Sequence, residues 1–145
     1  MGPEGDYQAK RFNGETGGER IQAALMQAAD EPGSSVVTVT GAGPDGGVWE
    51  TTGLEIGSHT TLLIRNATIK LADGAGSNVL RNLDLDAGND GISIVGVGDA
   101  TVDGNAPKQP RGTEGHGYDD KRPEWIGLRF EHCDDLIMSV VAVYR

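Results

Sequence analysis

Short runs of β-branched and other apolar residues with a period of two fill the chain after position 34, and they constrain its fold more than any other feature. Such alternation is typical of half-buried β-strands, and Gly, Asn or Asp residues bound the runs. No segment between them has the length and period of a crossover helix, which disfavours a doubly wound α/β fold. The runs occupy 36–40, 61–64, 68–71, 92–95, 101–103, 126–130 and 136–143.

A single short helix is predicted before these runs, over residues 19–29. Thr16 and Glu19 are spaced as in a capping box, and Pro32 followed by Gly33 ends the segment. The apolar stripe of this helix is narrow, so we expect the helix to persist only by docking onto another part of the chain. The stripe consists of Ile21, Ala24, Leu25 and Ala28.

Two weak internal repeats indicate a solenoid, in which each repeat packs only against its neighbours. Residues 66–69 resemble residues 99–102, and residues 89–94 resemble residues 133–138. The polar stretch 106–124 is predicted to be a loop that extends from one coil. Without it, residues 89–94 and 133–138 are separated by about one coil of twenty-odd residues. We therefore predict an all-β, right-handed parallel β-helix with one short N-terminal capping helix.

This prediction treats residues 1–145 as one domain. Residues 1–33 form the N-terminal segment with the capping helix, residues 34–145 form the β-helix coils, and the loop excursion lies at about 106–124. The helix is expected to cover the first end of the stack, whereas nothing is expected to cover the second. Either the natural protein continues past Arg145, or another subunit covers that end.

Composition narrows the possible partners. The net charge is −10, so nucleic acid is not an expected partner, because phosphate binding needs clustered basic residues. No apolar run approaches the length of a membrane span, which predicts a soluble chain without membrane insertion. The single Cys133 argues against a cysteine metal cage, and neither a cofactor nor a metal is expected. The acidic, lysine-poor composition fits either a salt-rich habitat or an ordinary acidic surface.

The N-terminal sequence lacks the basic and then apolar layout of a signal peptide. Export therefore uses another route, such as virion release, or the signal was removed or never existed.

Four segments together resemble the N-terminal part of the pectate-lyase and polygalacturonase-like β-helix proteins, which include relatives of glycoside hydrolase family 28. They are the opening and helix at 6–30 and the coil-like stretches 56–74, 92–105 and 127–143. The resemblance implies polysaccharide lyases, glycoside hydrolases or viral tailspikes, and thus an extracellular or virion-surface location. The catalytic aspartates of that superfamily lie in later coils, so no catalytic residue is identifiable in this chain. Gly115-His116-Gly117 is similar to a tripeptide of those enzymes but lies in the excursion.

Aromatic residues and carboxylates supply a set of candidate glycan-binding residues. Aromatic faces on a β-solenoid can stack on sugar rings, while carboxylates accept hydrogen bonds from the hydroxyls. Alternatively, each ring covers the end of the core or an oligomer contact. The candidates are Trp49, Tyr118, Asp119, Asp120 and Trp125.

Three further motifs are not expected to form sites. The glycines of 41–46 match a dinucleotide fingerprint, but no helix follows them to hold a pyrophosphate. The acidic stretch 84–90 does not match the ligand spacing of an EF-hand loop. Asn66-Ala67-Thr68 fits the acceptor sequence for N-glycosylation but lies inside a strand pattern, which argues against its use.

These observations lead to one leading functional hypothesis and two alternatives. The leading hypothesis is an extracellular, carbohydrate-directed β-helix domain with a binding or structural role, whose partner is a polysaccharide or surface glycan. The first alternative is the N-terminal part of a polysaccharide-cleaving enzyme whose catalytic coils lie beyond Arg145. The second alternative is an oligomeric structural subunit of a virion or surface layer.

Overall fold

The computed structural model describes residues 5–41, 46–110, 127–139 and 141–144, and within them it contains one α-helix and a series of short β-strands. The helix α1 spans Gly17–Ala29, and short 3-10 helices span Ala9–Arg11 and Ala106–Lys108. The strands are β1 Asp6–Gln8, β2 Ser35–Thr40, β3 Val48–Thr51, β4 Leu54–Ile56, β5 Thr60–Arg65, β6 Thr68–Leu71, β7 Leu80–Asn82, β8 Ser93–Val97, β9 Thr101–Asp103, β10 Leu128–Arg129, β11 Ile137–Ser139 and β12 Ala142–Tyr144.

The strands form three parallel sheets. The five-stranded sheet has the order β1-β2-β5-β8-β11, the four-stranded sheet β3-β6-β9-β12, and the three-stranded sheet β4-β7-β10. From β2 onward, each strand belongs to a different sheet from the one before it, and the chain visits the three sheets in the same order each time. We call one such passage a coil. The described chain is thus mostly β, with three parallel sheets and one helix, which is compatible with a parallel β-helix.

The strand register confirms both internal repeats. Thr68 pairs with Thr101, the interval of the first repeat. Ser93 pairs with Ile137, and Asp90 forms a bridge with Asp134, both at the interval of the second repeat. Similar sequences therefore lie side by side in neighbouring coils.

The core lies between the three sheets and is built from alternate residues of each strand. In the five-stranded sheet, Val37, Leu62 and Ile94 pair in register and are all fully buried. Trp49, Ile69 and Val102 form the equivalent row in the four-stranded sheet. Burying each large apolar side chain contributes about 1.5–3 kcal/mol, so these rows are a main source of stability.

The predicted helix and its capping box are confirmed. The Thr16 hydroxyl accepts a hydrogen bond from the Glu19 N–H at 3.2 Å, and the Glu19 carboxylate accepts one from the Thr16 N–H at 3.4 Å. The helix begins at Gly17, two residues before the predicted start, because Thr16 is itself the N-cap. The whole predicted apolar stripe is buried.

The helix covers the first coil, as expected. It contacts β2, β3 and β4, one strand of each sheet. The Gln22 side chain also occupies the free edge of β4: its amide nitrogen donates to the Glu55 carbonyl at 3.2 Å, and its amide oxygen accepts from the Glu55 N–H at 2.8 Å. A side chain thereby supplies the two hydrogen bonds that a neighbouring strand would otherwise make.

Several strands have no clear signal in the sequence. β1, β3, β4 and β7 are three or four residues long and were not predicted. The run at 136–143 is two strands, β11 and β12, in different sheets. These four strands show few alternations of β-branched residues, and they form because the neighbouring coil offers a partner.

The far side of the last described coil is exposed. Met138 pairs with the buried Ile94 yet is 42% exposed, and Val143 pairs with the buried Val102 yet is 44% exposed. Both are inward positions of their strands, so among the described residues they form an exposed apolar surface, and the expectation about what covers this end stays a prediction.

None of the helices in the described part of the chain combines the length and hydrophobicity needed to span a bilayer. The predicted excursion at about 106–124 lies outside the described residues from position 111 onward. Its first residues form the 3-10 helix Ala106–Lys108.

Candidate functional site

A groove of about 400 Å³ runs along the outer face of the five-stranded sheet, across β1, β2 and β5. The lining residues are Asp6, Gln8, Lys10, Val36, Thr38, Thr40, Leu63 and Arg65.

Strand alternation places these side chains outside the core. Along β2, Val37 and Val39 are buried in the core, whereas Val36, Thr38 and Thr40 point outward. The register of the sheet sets Thr38 beside Gln8 on one side and Leu63 on the other. The groove floor is therefore a patch of uncharged side chains, in which the Thr40 hydroxyl oxygen is itself buried.

Charged groups lie only at the edges of this groove. Asp6 and Lys10, from the N-terminal segment, and Arg65, at the end of β5, are exposed. Within the described residues, none of the three makes a side-chain hydrogen bond or ion pair. Their charges are therefore available to a ligand lying on the uncharged floor.

The outer face of the five-stranded sheet remains largely uncharged beyond the groove. Leu63 pairs with Val95 and Arg65 pairs with Val97, so the outer face of β8 carries two valines and the uncharged Ser93. Val97 is 41% exposed, and Ile137 on β11 is 57% exposed. Five adjacent strands span about 19 Å at a spacing of about 4.8 Å, which makes this face an extended, weakly charged surface on an acidic protein.

Tyr7 anchors the strand that forms one wall of the groove. It lies between Asp6 and Gln8 on β1 and packs against the core, with its ring edge-to-face on Phe12 at 6.0 Å between centroids. Its hydroxyl donates to the Glu31 carboxylate, just after the helix. This hydrogen bond, with burial and the carboxylate charge, raises the pKa of Tyr7 above its ordinary value of 10.0.

A second, smaller cleft lies at the corner between β3 and β4. Its volume is about 180 Å³, and its lining includes Thr52, Ser77 and the ion pair between Glu55 and Arg81 at 3.1 Å. Both partners of that pair are more than a third exposed, so it contributes under about 1 kcal/mol. The cleft is too small for an oligosaccharide.

The structure removes Trp49 from the candidate glycan-binding residues. Its side chain is fully buried, and its indole N–H donates to the Thr40 carbonyl at 2.9 Å. The prediction that it offers a ring face to a sugar is therefore wrong: Trp49 lies at an inward position of β3, and its role is in the core. The remaining candidates, Tyr118, Asp119, Asp120 and Trp125, lie outside the described residues and stay predictions.

Sequence reasoning missed the groove residues themselves. One feature of the sequence could have indicated them. The residues that alternate with the core positions in the 36–40 and 61–64 runs are threonine, valine and leucine, where an exposed strand face would usually carry charged residues. The wall residues Asp6 and Gln8 had no such signal, because β1 was not predicted.

The acidic stretch at 84–90 forms its own turn. The Asp84 carboxylate accepts hydrogen bonds from the N–H groups of Asp86 and Ala87, and the Asn89 side chain accepts one from the Asp84 N–H. Throughout the described ranges, no three His, Cys, Asp or Glu side chains are grouped so as to hold a metal ion.

Comparison with known proteins leaves the resemblance to the pectate-lyase-like superfamily as a prediction. No protein-family model, curated protein or solved structure matches this chain.

Proposed function

We propose that the chain is a right-handed parallel β-helix domain of the pectate-lyase-like kind and that it binds glycans on the outer face of its five-stranded sheet. The fold proposal is supported by three parallel sheets that the chain visits in a fixed order and by the helix over the first coil. The right hand follows from the strong general preference of parallel crossover connections.

The groove is the observation that carries the glycan proposal. The Thr38 hydroxyl can hydrogen-bond to sugar hydroxyls, while Val36 and Leu63 offer aliphatic surface to the C–H faces of sugar rings. Asp6, Lys10 and Arg65 can bind polar substituents at the edges. An extended face without an enclosed cavity suits a chain-like ligand better than a small cofactor.

The residues that line the groove fit a glycan-binding function better than a catalytic one. Glycoside hydrolysis uses two carboxyl groups about 5–9.5 Å apart, and Asp6 is the one carboxylate among the residues that line the groove. We accordingly place the protein outside the cell or on a virion surface. Its uncovered end fits either further coils or a second subunit. The cleaving enzyme remains the alternative if those coils carry the catalytic residues.

A glycan array followed by calorimetry on the best ligand tests this proposal. Thr38→Glu places a charged side chain on the groove floor and should weaken binding about tenfold or more. Thr101→Glu is the matched control, because Thr101 is also a half-buried strand residue but lies on the four-stranded sheet. It should leave the affinity unchanged.

Three outcomes would contradict the proposal. They are the absence of any glycan ligand, equal affinity of the two variants, and release of new reducing ends from a bound polysaccharide. The last would favour the enzyme. Tight oligomers by light scattering with no glycan affinity would favour the structural subunit.

A further inference from the structure

We propose that Asn66 is an acceptor for an N-linked glycan, at the corner between β5 and β6. Asn66-Ala67-Thr68 is the one place in the chain where an asparagine is followed two positions later by serine or threonine without an intervening proline. The structure places the asparagine of this tripeptide outside the strands, although Thr68 is the first residue of β6. β5 ends at Arg65 and β6 begins at Thr68, so Asn66 lies in the turn between them.

The corner directs the asparagine outward. Asn66 has a left-handed backbone with φ of 48° and an exposed side chain, whereas its neighbour Ala67 is 2% exposed and packs in the core. The buried Ala67 side chain anchors the turn in the core, and the Asn66 amide remains on the surface. Surface turns are where N-glycan acceptors are found in secreted proteins.

Hydrogen bonding leaves the reactive nitrogen free. The Asn66 side-chain oxygen accepts a hydrogen bond from the Asp99 N–H at 3.1 Å, one coil further on. The amide nitrogen donates to no described residue. Gly98 permits this packing, because a Cβ atom at that position would lie 1.9 Å from the Asn66 oxygen.

The modification keeps this contact intact. The Asn66 nitrogen loses one proton and forms a bond to C1 of the sugar, while the bond between C1 and the phosphate oxygen of a polyprenyl-diphosphate oligosaccharide breaks. The diphosphate lipid leaves with the bonding electrons, and nothing is oxidised or reduced. The product is still an amide with a carbonyl oxygen, so it still accepts the Asp99 hydrogen bond.

This inference does not depend on glycan binding in the groove. It requires only that the chain pass through a compartment that contains the oligosaccharide transferase and its lipid-linked donor. It would also place a bulky hydrophilic group directly after Arg65, at one end of the groove.

The test is secretion of the full chain, behind a cleavable leader, from a eukaryotic host. Intact mass and peptide mapping after peptide N-glycosidase treatment in heavy-oxygen water locate any glycan, because the released asparagine becomes labelled aspartate. The wild type and Thr68→Ser should carry a glycan at Asn66, since both retain the acceptor hydroxyl. Thr68→Val should carry none.

Thr68→Val is the informative variant because it should fold normally. Val48 already occupies the paired position on β3, so valine suits this place in the sheet. Circular dichroism of the purified proteins verifies that all three share one fold. A secreted, folded wild type with unmodified Asn66 would overturn the proposal, as would equal modification of Thr68→Val.

Discussion

Buried amide side chains make hydrogen bonds at the corners that the sheets themselves do not provide. Asn82 is fully buried, and its side chain both accepts from the Glu131 N–H at 2.9 Å and donates to the Glu131 carbonyl at 3.0 Å. Asn105 donates to the Leu71 carbonyl at 3.0 Å. Each bond joins one coil to the next just beyond the last pair of strand residues that those two coils share.

Gly88 tests how tightly such a corner is packed. Its φ is 89°, and a Cβ atom would lie 1.8 Å from the backbone oxygen of His132. Because backbone cannot yield as a flexible side chain can, Gly88→Ala should lower the free energy of unfolding by about 2–3 kcal/mol. Gly33→Ala is the control, with nothing within 4 Å, and should change it by under about 0.5 kcal/mol. Equal urea midpoints for the two variants would contradict the packing.

The raised pKa of Tyr7 predicts how the stability of the protein depends on pH. Its pKa is raised in the folded state, so folding favours the neutral phenol, and this contribution is present below about pH 10. Stability should fall as the pH rises from about 10 through the raised pKa, and Tyr7→Phe should lose this alkaline dependence. Ultraviolet titration of tyrosinate should lose a step above about pH 10 in Tyr7→Phe. An unchanged titration above that pH would contradict the assignment to Tyr7.

At the scale of elements, the helix and the strands depend on each other in different ways. The helix has a local start signal, because Thr16 and Glu19 satisfy its first N–H groups. The short strands have no such local support. The edge of β4 is completed from outside the sheet, by Gln22 of the helix.

Replacing Gln22 measures what that edge contact contributes. Gln22→Ala removes both bonds and leaves the half-buried Glu55 N–H and carbonyl without these partners, which should cost about 1–3 kcal/mol. Met26→Ala, at an exposed position on the same helix, should cost under about 0.5 kcal/mol. Thermal unfolding of the two variants checks the difference. A loss no larger for Gln22→Ala than for Met26→Ala would mean that water satisfies the β4 edge equally well.

At the scale of the whole molecule, the two ends of the stack differ. One end is covered by the helix, and the last described coil exposes inward positions such as Met138 and Val143. Stability should therefore decline along the stack toward that end.

Substitutions at equivalent positions in neighbouring coils test whether stability declines along the stack. Ile94 and Met138 are paired in register, but the first is fully buried and the second is 42% exposed. Ile94→Ala should cost about 2–5 kcal/mol, and Met138→Ala under about half of that. Urea denaturation in dilute solution gives both values. An equal cost at Met138 would show that a second copy or another segment covers the end in solution.

Much of the strand pattern could be predicted from the sequence. The runs at 36–40, 61–64 and 68–71 became β2, β5 and β6, because β-branched alternation and bounding turn residues are local signals. The candidate site was predicted less well. Trp49 was a candidate for an exposed ring as well as for the core, because the sequence does not show which face of an unrecognised strand turns inward.

By itself, the sequence determined the helix with its capping box, the β-rich class, and the intervals at which similar segments stack. These follow from contacts within a few residues or from repetition, both of which are visible along the chain. Only the tertiary structure decided the short strands β1, β3, β4 and β7, the outer groove, the burial of Trp49 and the exposure of Asn66. Each of these depends on which residues of another coil lie alongside, and such non-local pairings leave no local pattern.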